Sequence, residues 1–316
     1  MNTKTLSFGK LCNSTAEVDK PKHILHGLLK GHVGMLIAVP SIGKSHLALS
    51  IAIENASSTS LIGLTANPLP SKTLIVSTED GESILTERLK EKARSLNKKT
   101  LEQLDQYLDF TFETTPFVIQ PGSSHERVLE HEHYLIQLEM LFKNYELVII
   151  DTVTEAIGDC DEVTHDRIIK NTFSRLAKSS GASILLVHHV NKNEIHGHQK
   201  ITMASGAGLT SIMRLTKCLL SLSSENGKLT LNYQKGNYLQ KQHRKKINLK
   251  WDCDIIVDDA RDTEQEPRES ESTSPKNSTD IKPRKQKIKP SKEPKSIVIK
   301  GTTTEEEDDR DMRAVL

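Results

Sequence analysis

The sequence predicts an α/β fold with a mainly parallel, twisted sheet flanked by helices. Three observations support this prediction. One apolar segment ends in a loop containing Gly43-Lys44-Ser45, a second ends in Asp151, and apolar segments alternate with amphipathic stretches across residues 21–257. Strands separated by helices form βαβ units, whose strands lie parallel in one sheet.

Strands are expected where apolar residues run together, and helices where they recur every three or four positions. The expected strands are residues 34–39, 73–78, 108–112, 146–151, 182–188, 217–222 and 228–233. The expected helices are residues 45–55, 82–97, 124–144 and 163–179. The last three of these strands follow one another closely and adjoin the turn at Asn226-Gly227, which predicts an antiparallel edge.

Composition divides the 316 residues into three parts. Residues 1–20 form a polar extension, residues 21–257 form one α/β domain, and residues 258–316 are predicted to be a disordered, charged tail. The tail consists largely of Ser, Thr, Pro, Glu and Lys, so it cannot bury enough apolar surface to offset its chain entropy. It is either a solvated segment or a tether for a partner or DNA.

Charge and cysteine content exclude several classes of protein. The net charge of +1 gives the whole chain no electrostatic attraction to nucleic acid, so local patches must supply it. The four cysteines are scattered and form no CxxC pair, which argues against a disulfide framework or a zinc site. The apolar runs are too short to span a bilayer, and no secretory signal is evident. We expect a cytoplasmic protein without membrane contact.

The loop at residues 38–46 has the features of a phosphate-binding P-loop. A strand, a tight loop and a Gly-Lys-Ser that opens a helix direct backbone N–H groups at phosphate oxygens. Lys44 would neutralise the β- and γ-phosphates of ATP, and the Ser45 hydroxyl would bind Mg²⁺. The residues expected around the nucleotide are Ala38, Val39, Pro40, Ser41, Ile42, Gly43, Lys44, Ser45 and His46. The alternative is a chance Gly-Lys-Ser in an unrelated turn.

The loop departs from the common pattern G-x-x-x-x-G-K-[ST]. Ala38 replaces the first glycine, and the β-branched Ile42 stands directly before Gly43. Glycine is usual in such loops because it adopts positive φ and lets the backbone approach the ligand closely. We therefore expect this loop to be stiffer than most.

Two carboxylates are predicted at the same edge of the sheet. Asp151 ends a buried strand and is the expected protein carboxylate for Mg²⁺. Because Thr152 follows it, the group that activates water must come from elsewhere, and Glu79 at the end of strand 73–78 is the candidate. The alternative is a solvated Glu79 beside the next helix, although Asp80 fits a capping role there better.

A histidine pair follows strand 182–188 at this edge. We expect His188 to sense the γ-phosphate as a hydrogen-bond donor and to couple nucleotide state to the next loop. Metal binding by His188 and His189 is the weaker alternative, because no third ligand stands at a suitable spacing.

The ordered set of motifs resembles the RepA-type hexameric replicative helicases of plasmids, within the RecA- and DnaB-like P-loop ATPases. The resemblance implies a RecA-like ATPase domain that binds ATP and Mg²⁺, forms a ring and serves plasmid- or phage-type DNA replication. The matching segments, spread over about residues 21–240, are Gly27-Leu28-Leu29, Gly34, Gly43-Lys44-Ser45 with Leu47-Ala48-Leu49, Thr78-Glu79-Asp80, Arg88-Leu89, Ile149-Ile150-Asp151-Thr152, Leu186-Val187-His188-His189 with Lys192, Leu209, Arg214, and Lys235 with Asn237-Tyr238.

The same resemblance implies two further cations. Arg214 falls where the family has an arginine finger that reaches the nucleotide of a neighbouring subunit, and Lys235 falls at the same interface. The alternatives are a helix-surface residue for Arg214 and a turn residue beside Gly236 for Lys235. The family often has an Arg-Gly pair before the final helix, where this sequence has Ala204-Ser205.

Two segments are candidates for contact with single-stranded DNA. Residues 192–200 are polar, contain two lysines, and follow the strand that ends at His188. The second candidate is the basic cluster formed by Lys241, His243, Arg244, Lys245 and Lys246. A solvated strand edge or linker is the alternative interpretation of this cluster.

The leading hypothesis is an ATP-dependent DNA helicase that works as a homo-oligomer, a hexamer by resemblance, with a replication initiator or loader as a further partner. The second is an ATP-binding DNA scaffold, or a recombination or partition accessory protein, that does not unwind DNA. A third, a nucleotide or small-molecule kinase, would need an arginine-rich lid, which the sequence does not show.

Overall fold

A computed structural model describes residues 5, 7–12, 21–113, 115–189 and 210–261. The strands are β1 His23–Leu25, β2 Leu28–Leu29, β3 Val33–Ala38, β4 Thr73–Ser77, β5 Leu108–Phe112, β6 Leu147–Asp151, β7 Ser183–His189, β8 Cys218–Glu225, β9 Lys228–Gly236, β10 Ile247–Asp252 and β11 Ile255–Asp258. The helices are α1 Phe8–Cys12, α2 Lys44–Ser57, α3 Glu82–Ala93, α4 Lys98–Tyr107, α5 His125–Phe142, α6 Val153–Ala156, α7 Asp166–Ser180 and α8 Thr210–Leu215, with a 3-10 turn at Lys241–His243.

Nine strands form one sheet in the order β11-β10-β9-β8-β3-β7-β6-β4-β5. The six strands from β8 to β5 run parallel to one another, whereas β9, β10 and β11 are added antiparallel at one edge. The predicted fold class, a mainly parallel sheet with an antiparallel edge, is confirmed. Of the three strands expected at that edge, only β9 is antiparallel, because β7 and β8 both pair parallel with β3. Strands β1 and β2 form a separate antiparallel pair.

Both faces of the central strands are buried, which explains their continuous apolar sequences. In β3, Leu36 and Ala38 face a core that includes α2, while Met35 and Ile37 face a second core that includes α5 and α7. Because successive strand residues point to opposite faces, one strand supplies both cores. Among the described residues, no helix has both the length and the apolar character needed to cross a membrane.

Two departures from the predicted elements affect the surroundings of the site. The helix predicted over residues 82–97 ends at Ala93, and a further helix, α4, begins at Lys98. Asn97 causes this division, because its side chain accepts a hydrogen bond from the Thr100 N–H at 2.8 Å and caps the new helix. The strands β10 and β11 were not predicted.

The β10–β11 hairpin extends the sheet and covers α2. Ile255, Ile256 and Val257 are buried, and the Ile256 N–H donates to the Ser50 Oγ of α2 at 3.1 Å. Asp258 still pairs with Leu249, one residue beyond the predicted domain end. The contacts of the chain separate Met1–Thr263 from Glu264–Leu316, and the latter lies outside the described residues.

The extension predicted at residues 1–20 and the tail predicted at 258–316 lie almost entirely outside the described residues. Residues 5 and 7–12 of the extension and residues 258–261 of the tail are described. The predicted division of the chain into an extension, a domain and a tail therefore stays a prediction.

A buried carboxylate organises the loop after α2. Glu54 is 2% exposed and accepts hydrogen bonds of 2.5–2.8 Å from five consecutive backbone N–H groups. Its partners are Leu61, Ile62, Gly63, Leu64 and Thr65. A charged acceptor with this many donors is well compensated for its loss of hydration, so Glu54 fixes the path of the loop.

We expect Glu54→Gln to lower the free energy of unfolding by about 3 kcal/mol, because the amide removes the charge and turns a donor toward backbone N–H groups. Urea denaturation monitored by circular dichroism measures this change. The matched control is Glu87→Gln on the exposed side of α3, which should change stability little. Equal stabilities for the two variants would contradict the assigned role of Glu54.

Candidate nucleotide-binding site

The sheet register brings the predicted site residues to one edge. Ala38 pairs with His189, and Ile37 pairs with His188, so the ends of β3 and β7 coincide. Ser77 pairs with Asp151, so the ends of β4 and β6 coincide as well. The C-terminal ends of these four strands therefore lie at one edge, as expected for the ligand-binding edge of a parallel sheet.

The loop between β3 and α2 has two residues with positive φ. Gly43 precedes α2 with φ 97°, and Ser41 adopts φ 67°. Ser41 thus takes a left-handed conformation that glycine adopts more easily. Ile42 is half-buried and packs against the core below, which accounts for a bulky residue in this loop.

The N-terminus of α2 has no side-chain cap. The N–H groups of Lys44, Ser45 and His46 open this 14-residue helix, and the first helical hydrogen bond runs from the Leu47 N–H to the Gly43 carbonyl at 2.9 Å. An uncapped N-terminus carries partial positive charge and free donors, so it suits a phosphate group.

Lys44 and Asp151 meet at this helix start. The Lys44 Nζ donates to the Asp151 Oδ1 at 3.2 Å, and Lys44 is only 4% exposed. A buried ammonium needs such a partner, because its loss of hydration is otherwise costly. Asp151 also lines a small cavity with Ser45 and Ser77. A hydroxyl and a carboxylate at one cavity fit Mg²⁺, which prefers oxygen ligands.

The end of β4 is tied to the end of β6. The Thr78 N–H donates to the Asp151 carbonyl at 2.9 Å, and the Thr78 hydroxyl donates to the Thr152 carbonyl at 2.8 Å. These two bonds hold the backbone before Glu79 against the backbone at Asp151 and Thr152. Glu79 follows directly, so the strand register and these bonds set its backbone position beside Asp151.

Glu79 is half-exposed, and its Oε2 lies 3.6 Å from the Nε2 of His189. No ion pair joins it to Lys44 within the part of the chain that the structure describes. Asp80 forms an ion pair with Arg88 of α3, whereas Gly81 is the N-cap of that helix. The capping role considered for Asp80 is therefore wrong: its carboxylate holds Arg88 instead.

His188 is buried beside two polar side chains that the sequence did not indicate. Its Nδ1 lies 3.3 Å from the Thr154 hydroxyl and 3.8 Å from the Glu162 Oε1. Burial, together with the smaller effects of His189 and Lys44, lowers the pKa of His188 to about 4. The imidazole is therefore neutral near pH 7. Burial also raises the pKa of Glu162.

Thr154 and Glu162 come from α6 and the loop after it, segments without an apolar period long enough to be predicted. A polar residue soon after the strand-terminal Asp151 is the only sequence signal for Thr154. Glu162 carries none, because its place beside His188 depends on the path of the loop between α6 and α7.

Arg214 and Lys235 lie together but away from Lys44 and Asp151. The Lys235 Nζ donates to the Arg214 carbonyl at 2.7 Å, at the C-terminus of α8, and the Arg214 side chain is exposed. The strand that follows α8 begins at Cys218, which pairs with Gly34 near the start of β3. These two cations therefore lie toward the sheet edge opposite to the P-loop.

The DNA-contact candidate at residues 192–200 and the Ala204-Ser205 pair lie outside the described residues. The second candidate is described: Lys241, Arg244, Lys245 and Lys246 are exposed, and His243 stacks on His26 with 3.6 Å between ring centroids.

The fold and this loop define a P-loop nucleoside triphosphatase domain. The sequence profile of the AAA domain family matches residues 3–194, so the chain belongs to that family. Comparison with curated proteins gives no match.

Two solved structures resemble the fold. The first is the ATPase domain of G40P, with a TM-score of 0.51 and 10% identity over 72% of this chain and 85% of that one. The second is a DnaB-like replicative helicase, with a TM-score of 0.56 and 9% identity over 78% of this chain and 66% of the helicase. At such identities the likeness concerns the fold alone, and it confirms the predicted RecA-like α/β architecture.

The pKa of His188 predicts acid sensitivity. The pKa of His188 is about 4 in the folded protein and 6.5 for an unperturbed histidine. As the pH falls, the unfolded chain therefore binds a proton at this residue at a higher pH than the folded chain, and the equilibrium shifts toward unfolding. The stabilisation is complete above pH 6.5 and is lost toward pH 4, with a contribution on the order of 3 kcal/mol.

We expect His188→Gln to lessen the fall in unfolding free energy between pH 7 and pH 4.5. Urea titrations at several pH values measure it, and His133→Gln on the exposed face of α5 is the control. If His188→Gln and the control follow the same pH dependence, His188 does not titrate as described.

Proposed function

We propose that this protein is an ATP-dependent DNA helicase of the RepA type, which forms a ring and acts in plasmid- or phage-type replication. The observation that carries the proposal is the buried contact between Lys44 and Asp151 at the uncapped start of α2. It supplies a cation, free N–H donors and an oxygen ligand around one volume, as nucleoside triphosphate hydrolysis requires.

Each residue of the site has a distinct task in this proposal. Lys44 and the first N–H groups of α2 hold the phosphates, while Ser45 and Asp151 would hold Mg²⁺. The ion, when bound, neutralises charge on the β- and γ-phosphates. Glu79 has an exposed carboxylate at the same edge and would take the proton of the attacking water.

Neutral His188 has one N–H, which either ring nitrogen can carry. With its Nδ1 accepting a hydrogen bond from the Thr154 hydroxyl, its Nε2 N–H would donate to a γ-phosphate. Thr154 and Glu162 hold the ring orientation. A histidine at the end of β7 also leads directly into residue 190 and the following segment, so phosphate contact there would be transmitted to the DNA-contact candidate at residues 192–200.

The position of Arg214, away from the P-loop of its own subunit, supports ring assembly. An exposed arginine near the opposite edge of the sheet cannot serve its own site, but it suits the nucleotide of a neighbouring subunit. Lys235 anchors the carbonyl of Arg214 and so fixes the end of α8. A cation supplied in trans makes hydrolysis depend on assembly.

We propose single-stranded DNA as the partner, bound through the exposed basic cluster at residues 241–246 and through residues 192–200. Lysine and arginine side chains follow a phosphate backbone without reading its sequence. Initiator or loader proteins would be further partners of a replicative ring.

Lys44→Ala should lower ATP hydrolysis by about 10²-fold or more, because the phosphates lose their buried cation. A phosphate-release assay with and without single-stranded DNA measures this, and Lys90→Ala on the exposed side of α3 is the control. Hydrolysis that DNA does not stimulate would contradict a motor. Stimulated hydrolysis without strand displacement would identify the scaffold or accessory protein instead.

Arg214→Ala and Lys44→Ala should each be inactive alone and should restore activity when mixed. In a randomly mixed ring about a quarter of the interfaces join an intact P-loop to an intact arginine. The mixture should therefore show about that fraction of normal hydrolysis, and Lys228→Ala is an exposed-cation control. A mixture as inactive as its components would contradict a finger in trans.

A further inference from the structure

The unpredicted β10–β11 hairpin places an aromatic side chain against the P-loop. Trp251 is the only tryptophan of the chain. A Cβ built at Gly43 would lie 3.0 Å from the Cζ2 of Trp251, so the indole touches the loop backbone. Its centroid lies 5.0 Å from the ring of His46, in an edge-on arrangement. Trp251 is nevertheless 46% exposed, so much of the indole is open to solvent or a ligand.

The hairpin is fastened to the nucleotide-binding helix at two points. One is the hydrogen bond from the Ile256 N–H to the Ser50 Oγ. The other is Lys92 of α3, whose Nζ contacts the Asp254 carbonyl at the hairpin turn and the Nδ1 of His46, the latter at 3.0 Å. Lys92 is 1% exposed, so this link is internal. Trp251 therefore stands on a rigid support.

The P-loop defines the direction of a bound nucleotide. Lys44 and Asp151 mark the end occupied by the β- and γ-phosphates, and the following N–H groups, toward His46, mark the α-phosphate. The sugar and the base must continue beyond the α-phosphate. That side of the loop is where His46 and Trp251 lie.

We infer that Trp251 is the stacking platform for the base of the bound nucleoside triphosphate. This inference rests on the proposed function and adds a base-binding subsite to it. Stacking uses the π-face that every base has, so the platform should favour the larger purines and discriminate little between adenine and guanine.

Intrinsic fluorescence tests the inference in the unmodified protein, because the single tryptophan is the reporter. Mg-ATP and Mg-GTP should quench the emission saturably, with the midpoints that calorimetry gives for binding. Inorganic tripolyphosphate with Mg²⁺, which has no base, should bind by calorimetry and change the emission several-fold less. Equal changes with ATP and tripolyphosphate, or no change while ATP binds, would overturn the inference.

Substitution separates stacking from damage to the loop. Trp251→Ala should weaken ATP binding about tenfold and tripolyphosphate binding less than about twofold, whereas Trp251→Phe should retain most ATP affinity. Tyr238→Ala, at a similarly exposed aromatic position in the turn after β9, is the control. Equal losses for both ligands would overturn the inference, since the side chain would then support only the loop.

The binding data distinguish a failure of the nucleotide site from a failure of the base subsite. If the unmodified protein binds neither ATP nor tripolyphosphate, the proposed nucleotide site is wrong, and the base subsite is wrong with it. If it binds both equally well and Trp251 does not respond, the P-loop stands and the base subsite alone is wrong.

Discussion

The contact between Lys44 and Asp151 is the constraint on which the site depends. Lys44 carries its charge at the N-terminus of α2, where the helix dipole is already positive and disfavours a cation. With 4% of the side chain exposed, water cannot compensate that charge, so Asp151 at 3.2 Å must do so. Without a ligand, the charge of Lys44 and the positive end of the α2 dipole together exceed the single negative charge of Asp151. A phosphate relieves this imbalance, and the site is organised for an anion before one arrives.

The sheet register turns that local contact into a site. Side chains alternate across a strand, so a shift of one residue in β6 would direct Asp151 away from α2. The pairs between Ser77 and Asp151 and between Ala38 and His189 exclude such a shift. The apolar residues before each polar end set this register by burial on both faces. Core packing and site geometry therefore have the same physical cause.

Sequence predicted the parts governed by short-range pattern. The runs of apolar residues predicted the parallel strands. Because Lys44, Asp151 and Glu79 each follow such a run, their placement at one edge of the sheet was predicted as well. The missed parts depend on distant partners. Asn97 divides a predicted helix through one side-chain hydrogen bond. From the sequence, Lys92 is expected on the exposed side of an amphipathic helix, but in the structure the β10–β11 hairpin buries it. Residue type alone carries no sign of such coverage.

That coverage explains how an unusual P-loop sequence can still be preorganised. Burial lowers the pKa of Lys92 to about 8, so its charge is held at a cost between His46 and the Asp254 carbonyl. The cost is compensated by the apolar contacts of Ile255, Ile256 and Val257 on α2. A loop with Ile42 and few glycines has little backbone freedom to change conformation when a ligand binds. Because Asp151 holds it on the sheet side and the hairpin holds it on the outer side, the loop does not need to change conformation.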